Sequence, residues 1–387
     1  MKVVFVSNFF NHHQKPFSDA MAELTDYKFV ETDQISEERV SLGWGNIDIP
    51  RYVLKANNNQ ETLQKARIII DEADVVIWGS APYSFLRKRL RNGKLTFVYS
   101  ERLYKSGFRY IEQPARAVKQ WIKFGRFKNV YLLCSSAYTS ADYAKTFTFL
   151  KKAYKWGYFP ETKLYTDLSS IIRSKQPGTI LWVARLIEFK HPDVPILVAE
   201  RLKADGYKFE LNIIGNGELD NSLRHLIGEK DLSDCVHMLG SMSPNNVREH
   251  MVKSSVFMFT SDFNEGWGAV LNEAMNSACA VVASHAIGAV PFLIKDGENG
   301  LIYENGNIDD LLKKIKVLLD NTAYAQQLGQ NAYLTITKQW NAEIAANRFC
   351  KLSQLFLAGD TSYRLFSEGP CSKAKLIGDR WYVKPIK

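Results

Sequence analysis

The sequence predicts an α/β protein made of two doubly wound, Rossmann-like domains that face a central cleft. Three observations support this prediction: the chain has 387 residues, short apolar runs alternate with helical patterns, and the alternation occurs in two successive series. The apolar runs are nearly continuous, which is typical of parallel strands covered on both faces. Ligands of such sheets bind beyond the carboxyl ends of the strands, so residues that directly follow strands are the first candidates for a site.

The first series lies in the N-terminal half of the chain. Its predicted strands are residues 2–7, 27–31, 74–78, 95–100 and 130–134. Its predicted helices are residues 14–25, 60–72 and 110–124. The pattern is weaker over residues 32–59, where we expect a loop.

A stretch with a proline near each end, 158–178, separates the two series. Strands of the second series are predicted at residues 179–184, 209–214, 235–239, 255–260, 280–284 and 300–303. Helices are predicted among them, including residues 192–205 and 244–254, and a last helix is predicted at residues 341–358. The predicted organisation is a domain over 1–165, a linker over 166–178, a domain over 179–340, and a C-terminal helix with a basic tail over 341–387.

Composition is that of a globular protein and excludes several classes. The chain is 46% hydrophobic and 24% charged. The apolar run at the N-terminus stops at Asn8, which is too short for a signal peptide, and no run is long enough to span a membrane, so we expect a cytoplasmic protein. The five cysteines are scattered without a CxxC pair, which predicts neither a zinc site nor a disulfide framework.

Positive charge is concentrated in residues 85–130. This segment holds thirteen lysines and arginines and only two acids, Glu101 and Glu112, within a chain of net charge +9. Aromatic residues, among them Trp121, lie between the cations. Such a segment suits an anionic membrane surface, and the protein is then expected to be peripheral at the inner face of the membrane. A nucleic acid or a polyanionic acceptor would suit it equally, and an ordinary solvated helix face would explain the same residues. No nucleic-acid-binding module accompanies the charge, so nucleic acid is not the expected partner.

The most informative motif, SDFNEGWGAVLNEAMNSACAVVAS at 261–284, contains two glutamates. Glu265 lies in the loop after a predicted strand, and Glu273 lies within the apolar helix that follows. A carboxylate in an apolar frame is costly unless a ligand or a partner binds it. Gly266 and Gly268 allow a ligand to approach the backbone, and the first helical N–H groups suit a phosphate. A ligand that carries a diphosphate between a sugar and a ribose would satisfy all of these groups. A capped helix with an internal salt bridge is the alternative.

This motif resembles the Glu-x7-Glu signature of retaining GT-B glycosyltransferases, particularly glycosyltransferase family 4. The resemblance is strong over about 180–305, where WVARLIEFKHP, FELNIIGNGEL and VASHAIGAVPFLIKDGENGLIY are similar to family segments. It is patchy over 1–165, where SNFFNHHQKPFSDAM and YKWGYFPET resemble a branch of bacterial members that act in surface-polysaccharide assembly.

The resemblance implies retaining transfer of a sugar from a nucleotide-sugar donor to a glycan or lipid-linked acceptor. It assigns the sugar hydroxyls to Glu265, the ribose to Glu273, and the departing diphosphate to Arg185 and Lys190. The implied donor-binding residues are Gly215, Gly217, Gly266, Trp267, Gly268, Ala269, Val270 and Glu273. A tight strand-to-helix turn would explain Gly217 equally well. No paired Asp-x-Asp motif stands in a convincing metal site, so we expect no metal, and no cofactor is expected because the nucleotide-sugar is a substrate.

Four residues that follow strands of the first domain are candidates for the acceptor side: His12, His13, Glu101 and Arg102. Many members of the resembled family carry a histidine at the strand end where this chain has Glu101 and Arg102. A second departure is Phe292, where the family commonly has glutamate. These departures leave the catalytic partner in the first domain unassigned.

Two other functions fit the same sequence. A nucleotide-sugar epimerase shares the expected fold, and fold alone does not determine function. A non-catalytic subunit that binds a sugar nucleotide or a polyanion is the second. The two cations together with Glu-x7-Glu favour sugar transfer. The sequence does not choose between UDP and GDP, and it identifies neither the sugar nor the acceptor.

Overall fold

The structure is a computed structural model that describes residues 1–35, 48–105, 107, 111–360 and 365–383. Its chain forms two compact units. The N-terminal unit comprises Met1–Glu161 and Trp340–Gly378, and the C-terminal unit comprises Thr162–Gln339 and Asp379–Lys387. Among the described residues, no helix combines the length and the apolar character needed to cross a lipid bilayer.

Thirteen strands are found in the described residues. In chain order they are β1 (Lys2–Ser7), β2 (Asp26–Glu31), β3 (Val53–Lys55), β4 (Val75–Trp78), β5 (Thr96–Ser100), β6 (Val130–Cys134), β7 (Ala153–Lys155), β8 (Gln176–Val183), β9 (Glu210–Ile214), β10 (Val236–Gly240), β11 (Ser254–Phe259), β12 (Ala280–Ser284) and β13 (Leu301–Tyr303). All eleven predicted strands are present within a few residues of the predicted bounds. The sequence did not predict β3 and β7, because a run of three residues is too short to establish a period.

The described α-helices, in chain order, are α1 (Lys15–Leu24), α2 (Gln60–Glu72), α3 (Arg87–Arg91), α4 (Gln113–Gln120), α5 (Thr139–Ala144), α6 (Leu168–Arg173), α7 (Asp193–Ala204), α8 (Asp220–Glu229), α9 (Pro244–Lys253), α10 (Ala269–Asn276), α11 (Val290–Leu293), α12 (Ile308–Asp320), α13 (Thr322–Lys338) and α14 (Ala342–Leu357). A π-helical turn over Trp121–Gly125 continues α4. The predicted helix over 110–124 is therefore α4 with this turn, and Tyr110 lies outside the described residues.

Each unit contains one parallel sheet with the doubly wound strand order. The N-terminal sheet has the order β3-β2-β1-β4-β5-β6-β7, and the C-terminal sheet has the order β10-β9-β8-β11-β12-β13. Every pairing between these strands is parallel. The order reverses beside β1 in the first sheet and beside β8 in the second, which are the switch points where such sheets bind ligands. The predicted α/β class with two doubly wound domains is confirmed.

The segment predicted as a linker, 166–178, instead belongs to the C-terminal unit. It contains α6 and the first residues of β8. The carboxylate of Asp167 accepts a hydrogen bond from the Ser170 backbone N–H at 3.0 Å, and this N-cap starts the helix. The predicted loop over 32–59 contains β3, and its residues 36–47 lie outside the described residues.

The C-terminal helix and tail divide between the two units. Helix α14 belongs to the N-terminal unit, where the ring of its Phe349 lies 6.4 Å from that of Phe17 on α1. Beyond it, the tail runs antiparallel to β7: the backbone N–H of Lys155 donates to the Ser372 carbonyl at 2.7 Å, and that of Cys371 donates to the Lys155 carbonyl at 2.8 Å. Residues 371–374 of the tail therefore have a defined structure, because their backbone hydrogen bonds add to an edge of the sheet.

Arg89 lies in the core of the N-terminal unit, although it comes from the most basic run of the sequence. Its side chain is fully buried and donates to four backbone carbonyls and one threonine hydroxyl, those of Ile70, Ala73, Asp74, Leu95 and Thr96. Burial lowers the pKa of the guanidinium to about 10. Part of the positive charge of 85–130 is therefore structural and unavailable to a partner.

We expect Arg89→Met to lower the stability of the N-terminal unit by about 3 kcal/mol, because it leaves buried carbonyls without donors. Arg91→Met is the matched control, since Arg91 is exposed on the same helix. Differential scanning calorimetry checks the prediction: the transition should move to lower temperature for the first variant alone. Equal transitions would contradict the structural role of Arg89.

Candidate active site

The loop after β9 packs its glycine backbone directly against the loop after β8. Gly215 and Gly217 have φ of 152° and 158°, in a region that favours glycine. A Cβ atom at Gly215 would lie 1.9 Å from the Ala184 carbonyl oxygen, and one at Gly217 would lie 2.4 Å from that of Leu186. The fold itself thus requires both glycines, which supports the turn explanation left open for Gly217. Their place beside a nucleotide stays a prediction.

The loop after β8 is also tied to the end of the neighbouring strand, β11. The Trp182 indole N–H donates to the Thr260 hydroxyl at 2.8 Å, and that hydroxyl donates to the Lys190 carbonyl at 2.7 Å. The Asp262 backbone N–H donates to the Phe189 carbonyl at 3.0 Å. Lys190 is therefore held beside the loop that carries Glu265.

Lys190 and Glu265 form an ion pair, so the structure brings together two of the three predicted catalytic residues. The Lys190 Nζ donates to Glu265 Oε2, and the Ser261 hydroxyl donates to the same oxygen at 3.0 Å. The side chains are only 13% and 12% exposed. The third predicted residue, Arg185, is exposed in the loop after β8. A ligand that brings an anionic group to Lys190 and hydroxyls to Glu265 can separate the pair without leaving either charge buried and uncompensated.

The N-terminus of α10, which we call the mouth of this helix, requires glycine at its N-cap. Gly268 has φ of 87°, and a Cβ atom there would lie 2.7 Å from the ring of Phe259. Leu271 makes the first hydrogen bond of the helix, from its N–H to the Gly268 carbonyl at 2.9 Å. The N–H groups of Ala269 and Val270 precede that bond, at the positive end of the helix dipole. This is the arrangement that the sequence predicts for a phosphate.

The side chain of Trp267, a residue of the predicted donor-binding set, is engaged within the protein, and its place in that set stays a prediction. Its side chain is 1% exposed, and its indole N–H donates to Asn272 Oδ1 at 2.8 Å. Its carbonyl accepts from the Ala289 backbone N–H at 3.1 Å, and its ring lies 6.3 Å from that of Phe292. Trp267 and Phe292 therefore form apolar support for the helix mouth, and the indole is not open to a ligand. Gly266 is buried beside them.

Glu273 carries a carboxylate that the protein leaves without a hydrogen bond from any described residue. Burial raises the pKa of this carboxyl, and the Arg248 guanidinium partly opposes that shift. Arg248 itself donates to the Glu273 backbone carbonyl at 3.0 Å and to Asn276 Oδ1 at 3.1 Å. Sequence reasoning missed Arg248, because nothing in the pattern of α9 relates it to α10. A half-buried carboxylate with no hydrogen bond from a described residue is the arrangement expected of a group that binds the hydroxyls of a ligand.

The last described residues of the tail cover the ends of β12 and β13. The His285 ring stacks on that of Tyr382 at 5.6 Å, and its Nε2 lies 3.2 Å from the Asp379 carbonyl oxygen. The Tyr382 hydroxyl donates to the Ile302 carbonyl at 2.7 Å. Phe263, from the loop that carries Glu265, packs edge-on against His285 at 5.5 Å. The tail therefore contributes to the surroundings of the candidate site, which its lack of periodicity concealed.

The N-terminal unit has its own cavity, of about 570 Å³, at the carboxyl ends of its strands. Three predicted acceptor-side residues line it: His13, Glu101 and Arg102. His12 does not line the cavity, although its ring lies 3.9 Å from that of His13. Burial, and then the neighbouring His12, lower the pKa of His13 to about 3. His13 is therefore neutral near pH 7, and its ring can donate or accept a hydrogen bond there.

Glu101 is held by two groups that sequence reasoning did not connect with it. The Tyr158 hydroxyl donates to Glu101 Oε1 at 2.6 Å, and Lys105 forms an ion pair with Oε2. Burial, and then the Glu101 charge, raise the pKa of Tyr158 well above its ordinary value, so its hydroxyl stays protonated. The sequence predicted no site residue in the stretch 154–162, whereas its residues Trp156 to Phe159 line the cavity.

Arg102 lines the cavity, but its guanidinium is engaged within the protein, and its role on the acceptor side stays a prediction. Its side chain is 2% exposed and forms an ion pair with Asp142 on α5 at 3.2 Å. It also lies 4.9 Å from the centre of the Tyr138 ring. Arg102 therefore holds the loop after β5 against α5, and its charge is already compensated.

Comparison with known proteins relates the C-terminal unit to a family of enzymes. Residues 167–335 match the family model described as Glycosyl transferases group 1. The matched region contains Arg185, Lys190, Glu265 and Glu273. Within the described ranges, no group of three or more His, Cys, Asp or Glu side chains could hold a metal ion.

Part of the chain is also similar to bacterial glycosyltransferases. The amylovoran biosynthesis glycosyltransferase of Erwinia amylovora is 30% identical over 46% of this chain and 44% of its own length. The N-acetylgalactosamine-N,N'-diacetylbacillosaminyl-diphospho-undecaprenol 4-alpha-N-acetylgalactosaminyltransferase of Campylobacter jejuni is 35% identical over 37% of each chain. The chain thus spans less than half the length of these two curated relatives.

One solved structure is similar to nearly the whole chain, beyond the residues that match the family model. HepE of Anabaena, solved in complex with UDP, superimposes with a TM-score of 0.69 and covers 91% of this chain and 99% of its own. At 16% identity, this likeness concerns the fold. The predicted GT-B fold is confirmed.

We expect Glu273→Gln to weaken binding of the free nucleoside diphosphate roughly tenfold to a hundredfold, since hydrogen bonds to charged groups contribute about 1.5–3 kcal/mol. Isothermal titration with UDP and with GDP measures this loss. Unchanged affinity for both would remove Glu273 from the donor site.

The same substitution should stabilise the protein without ligand. Because the folded-state pKa of Glu273 lies above its ordinary 4.5, the ionised form opposes folding as pH rises through that value. We expect Glu273→Gln to raise the melting temperature at pH 7.5, by a difference that shrinks toward pH 4.5. A lower melting temperature at pH 7.5 would show that the carboxylate stabilises the fold.

Proposed function

We propose that the protein is a retaining glycosyltransferase that moves a sugar from a nucleotide-sugar donor to a glycan or lipid-linked acceptor in polysaccharide biosynthesis. The observation that carries this proposal is the pairing of Lys190 with Glu265 beside the mouth of α10, with the unsatisfied carboxylate of Glu273 on the same helix. This constellation lies within the residues that match the Glycosyl transferases group 1 family model.

Each group of the C-terminal unit suits one part of a nucleotide-sugar. Glu273 accepts hydrogen bonds from the ribose hydroxyls, which relieves the cost of its burial. The diphosphate lies at the mouth of α10, where Ala269 and Val270 present their N–H groups. Lys190 exchanges its contact with Glu265 for the diphosphate, and Glu265 then accepts from the hydroxyls of the sugar.

Positive charge matters most when the bond between the sugar and the diphosphate breaks. Negative charge then grows on the departing phosphate oxygens, and Lys190, the exposed Arg185 and the helix mouth stabilise it. These groups perform the role that a divalent cation performs in other phosphate sites, so we propose transfer that needs no metal.

The cavity of the N-terminal unit suits the acceptor. Its polar groups include the Glu101 and Tyr158 pair and the neutral His13, which can bind the hydroxyls of a sugar. The Campylobacter jejuni relative is named for a diphospho-undecaprenol acceptor, which supports a lipid-linked acceptor. A protein that acts on such a lipid would work at the cytoplasmic face of the membrane, and residues 85–130 are the proposed contact.

Lys190→Ala and Arg185→Ala should each lower kcat more than they raise KM for the donor, because their charge is needed chiefly as the diphosphate leaves. We expect a loss in kcat of about a hundredfold for each, the size seen when one preorganised donor is removed. Steady-state kinetics with a donor and an acceptor measures the split. Arg224→Ala is the control, since Arg224 is exposed and pairs with Asp220 on α8.

If either variant keeps a near-normal kcat, other groups stabilise the leaving diphosphate.

Release of nucleotide only when an acceptor is present would separate sugar transfer from epimerisation, and turnover of any donor would exclude a non-catalytic subunit.

EDTA should leave the rate of transfer unchanged, since the proposed stabilisation of the diphosphate uses protein cations. The measurement is the initial rate of nucleotide release with and without the chelator. Loss of activity that Mg²⁺ or Mn²⁺ restores would contradict the metal-independent mechanism.

A further inference from the structure

Two segments of the N-terminal unit expose large apolar side chains. On α4 and the π-helical turn that follows it, Val118, Trp121 and Ile122 are 58%, 53% and 48% exposed. In the loop between α5 and β7, Phe147 and Leu150 are 75% and 53% exposed. The second segment lies outside the basic stretch 85–130, and no pattern in the sequence relates it to the first.

The two segments run side by side. At one end, the Gln113 side-chain amide donates to the Lys145 carbonyl. In the middle, the rings of Phe124 and Phe149 lie 5.6 Å apart. At the other end, Lys152 donates to the carbonyl of Lys128 at 2.6 Å. Residues 113–128 and 145–152 therefore form one continuous surface, which we name the apolar-basic face.

The backbone of the second segment is held in an unusual conformation. Phe147, Phe149 and Lys151 have φ of 53°, 57° and 60°, in the left-handed region that residues other than glycine rarely adopt. Such conformations persist only where the surrounding structure imposes them, and they concentrate at functional sites. Here they place the ring of Phe149 in the core while that of Phe147 stays in solvent.

The charge of the apolar-basic face has one sign. Residues 113–128 contain five lysines and arginines, residues 145–152 contain three lysines, and neither range contains an acid. Lys119, Arg126, Lys128, Lys145 and Lys151 are exposed. Exposed aromatic and aliphatic side chains among cations fit the interface of an anionic bilayer, whose phosphates meet the cations while its acyl chains receive the apolar groups. The core of a protein interface is instead depleted in lysine.

We propose that the apolar-basic face binds an anionic lipid surface, and that Phe147 and Leu150 insert into it beside Trp121. This inference rests on the proposed function, because contact with a membrane would bring the enzyme to a lipid-linked acceptor. Its test needs neither a donor nor turnover.

The test is co-sedimentation of the full chain with vesicles of phosphatidylglycerol or phosphatidylcholine at low salt. The wild type should bind the anionic vesicles and bind the neutral ones weakly. Phe147→Ser with Leu150→Ser should bind the anionic vesicles at least about tenfold more weakly, since each loses an inserted apolar side chain. Ile68→Ser is the matched control, because Ile68 is 56% exposed on α2, outside the face, and should bind as the wild type does.

Two further variants separate binding from folding and charge from insertion. Phe147→Gly removes the side chain where the backbone is left-handed, so it should melt no lower than the wild type yet bind as weakly as Phe147→Ser. Reversal of Lys119, Arg126 and Lys128 to glutamate should abolish binding. Lys123 is left unchanged, because it packs on the rings of Trp78, Tyr83 and Phe124.

Three results would overturn the inference: no binding of the wild type to anionic vesicles, equal binding by the Phe147 and Leu150 double variant, or binding to a DNA fragment without binding to vesicles. Affinity for UDP and GDP, measured on the same proteins, distinguishes this failure from failure of the proposed function. If the protein binds vesicles but has no affinity for UDP or GDP, the proposal of a membrane-binding face stands and the proposal of a donor site is wrong.

Discussion

The candidate donor site depends on the close approach of two backbones at the edge of the C-terminal sheet. The loop after β9 comes so near the loop after β8 that Gly215 has no room for a side chain, since a Cβ atom would lie 1.9 Å from the Ala184 carbonyl oxygen. This contact determines the path from Arg185 to Lys190, and Thr260 fixes its far end by donating to the Lys190 carbonyl. The charge of Lys190 is thereby directed at Glu265 by backbone geometry, independent of any ligand.

The two glutamates of the site are treated in opposite ways by the protein. Glu265 is compensated by Lys190 and the Ser261 hydroxyl, whereas the Glu273 carboxylate receives no hydrogen bond from a described residue and has a raised pKa. A paired carboxylate costs the fold little, and an unsatisfied one reduces its stability. A ligand whose hydroxyls donate hydrogen bonds to Glu273 would recover the stability that the uncompensated carboxylate costs. Part of the free energy of ligand binding therefore comes from the unliganded protein.

The sequence predicted those features that depend on local pattern. Apolar runs located the long strands, and the position of Glu265 and Glu273 after β11 located the site. The sequence could not predict features that join distant segments. Arg89 looks like a surface cation until the carbonyls of Ile70, Ala73, Asp74 and Leu95 surround it. The sequence also did not predict that the side chains of Trp267 and Arg102 have partners within the protein, Asn272 on α10 and Asp142 on α5. The tail has no period because backbone pairing with β7, not an amphipathic face, orders it.

The polar groups of the two units differ in kind. This difference supports the proposal that the C-terminal unit binds the donor and the N-terminal unit binds the acceptor. The carboxyl edge of the C-terminal sheet combines cations with a helix mouth, which suits a diphosphate. The cavity of the N-terminal unit offers a neutral histidine, a protonated tyrosine and a carboxylate already paired with Lys105. The cations that line the cavity are already engaged, since Arg102 and Lys105 pair with carboxylates and Lys123 packs on aromatic rings, so the cavity suits hydroxyl groups better than a diphosphate. An acceptor sugar therefore matches the first unit, and a nucleotide-sugar matches the second.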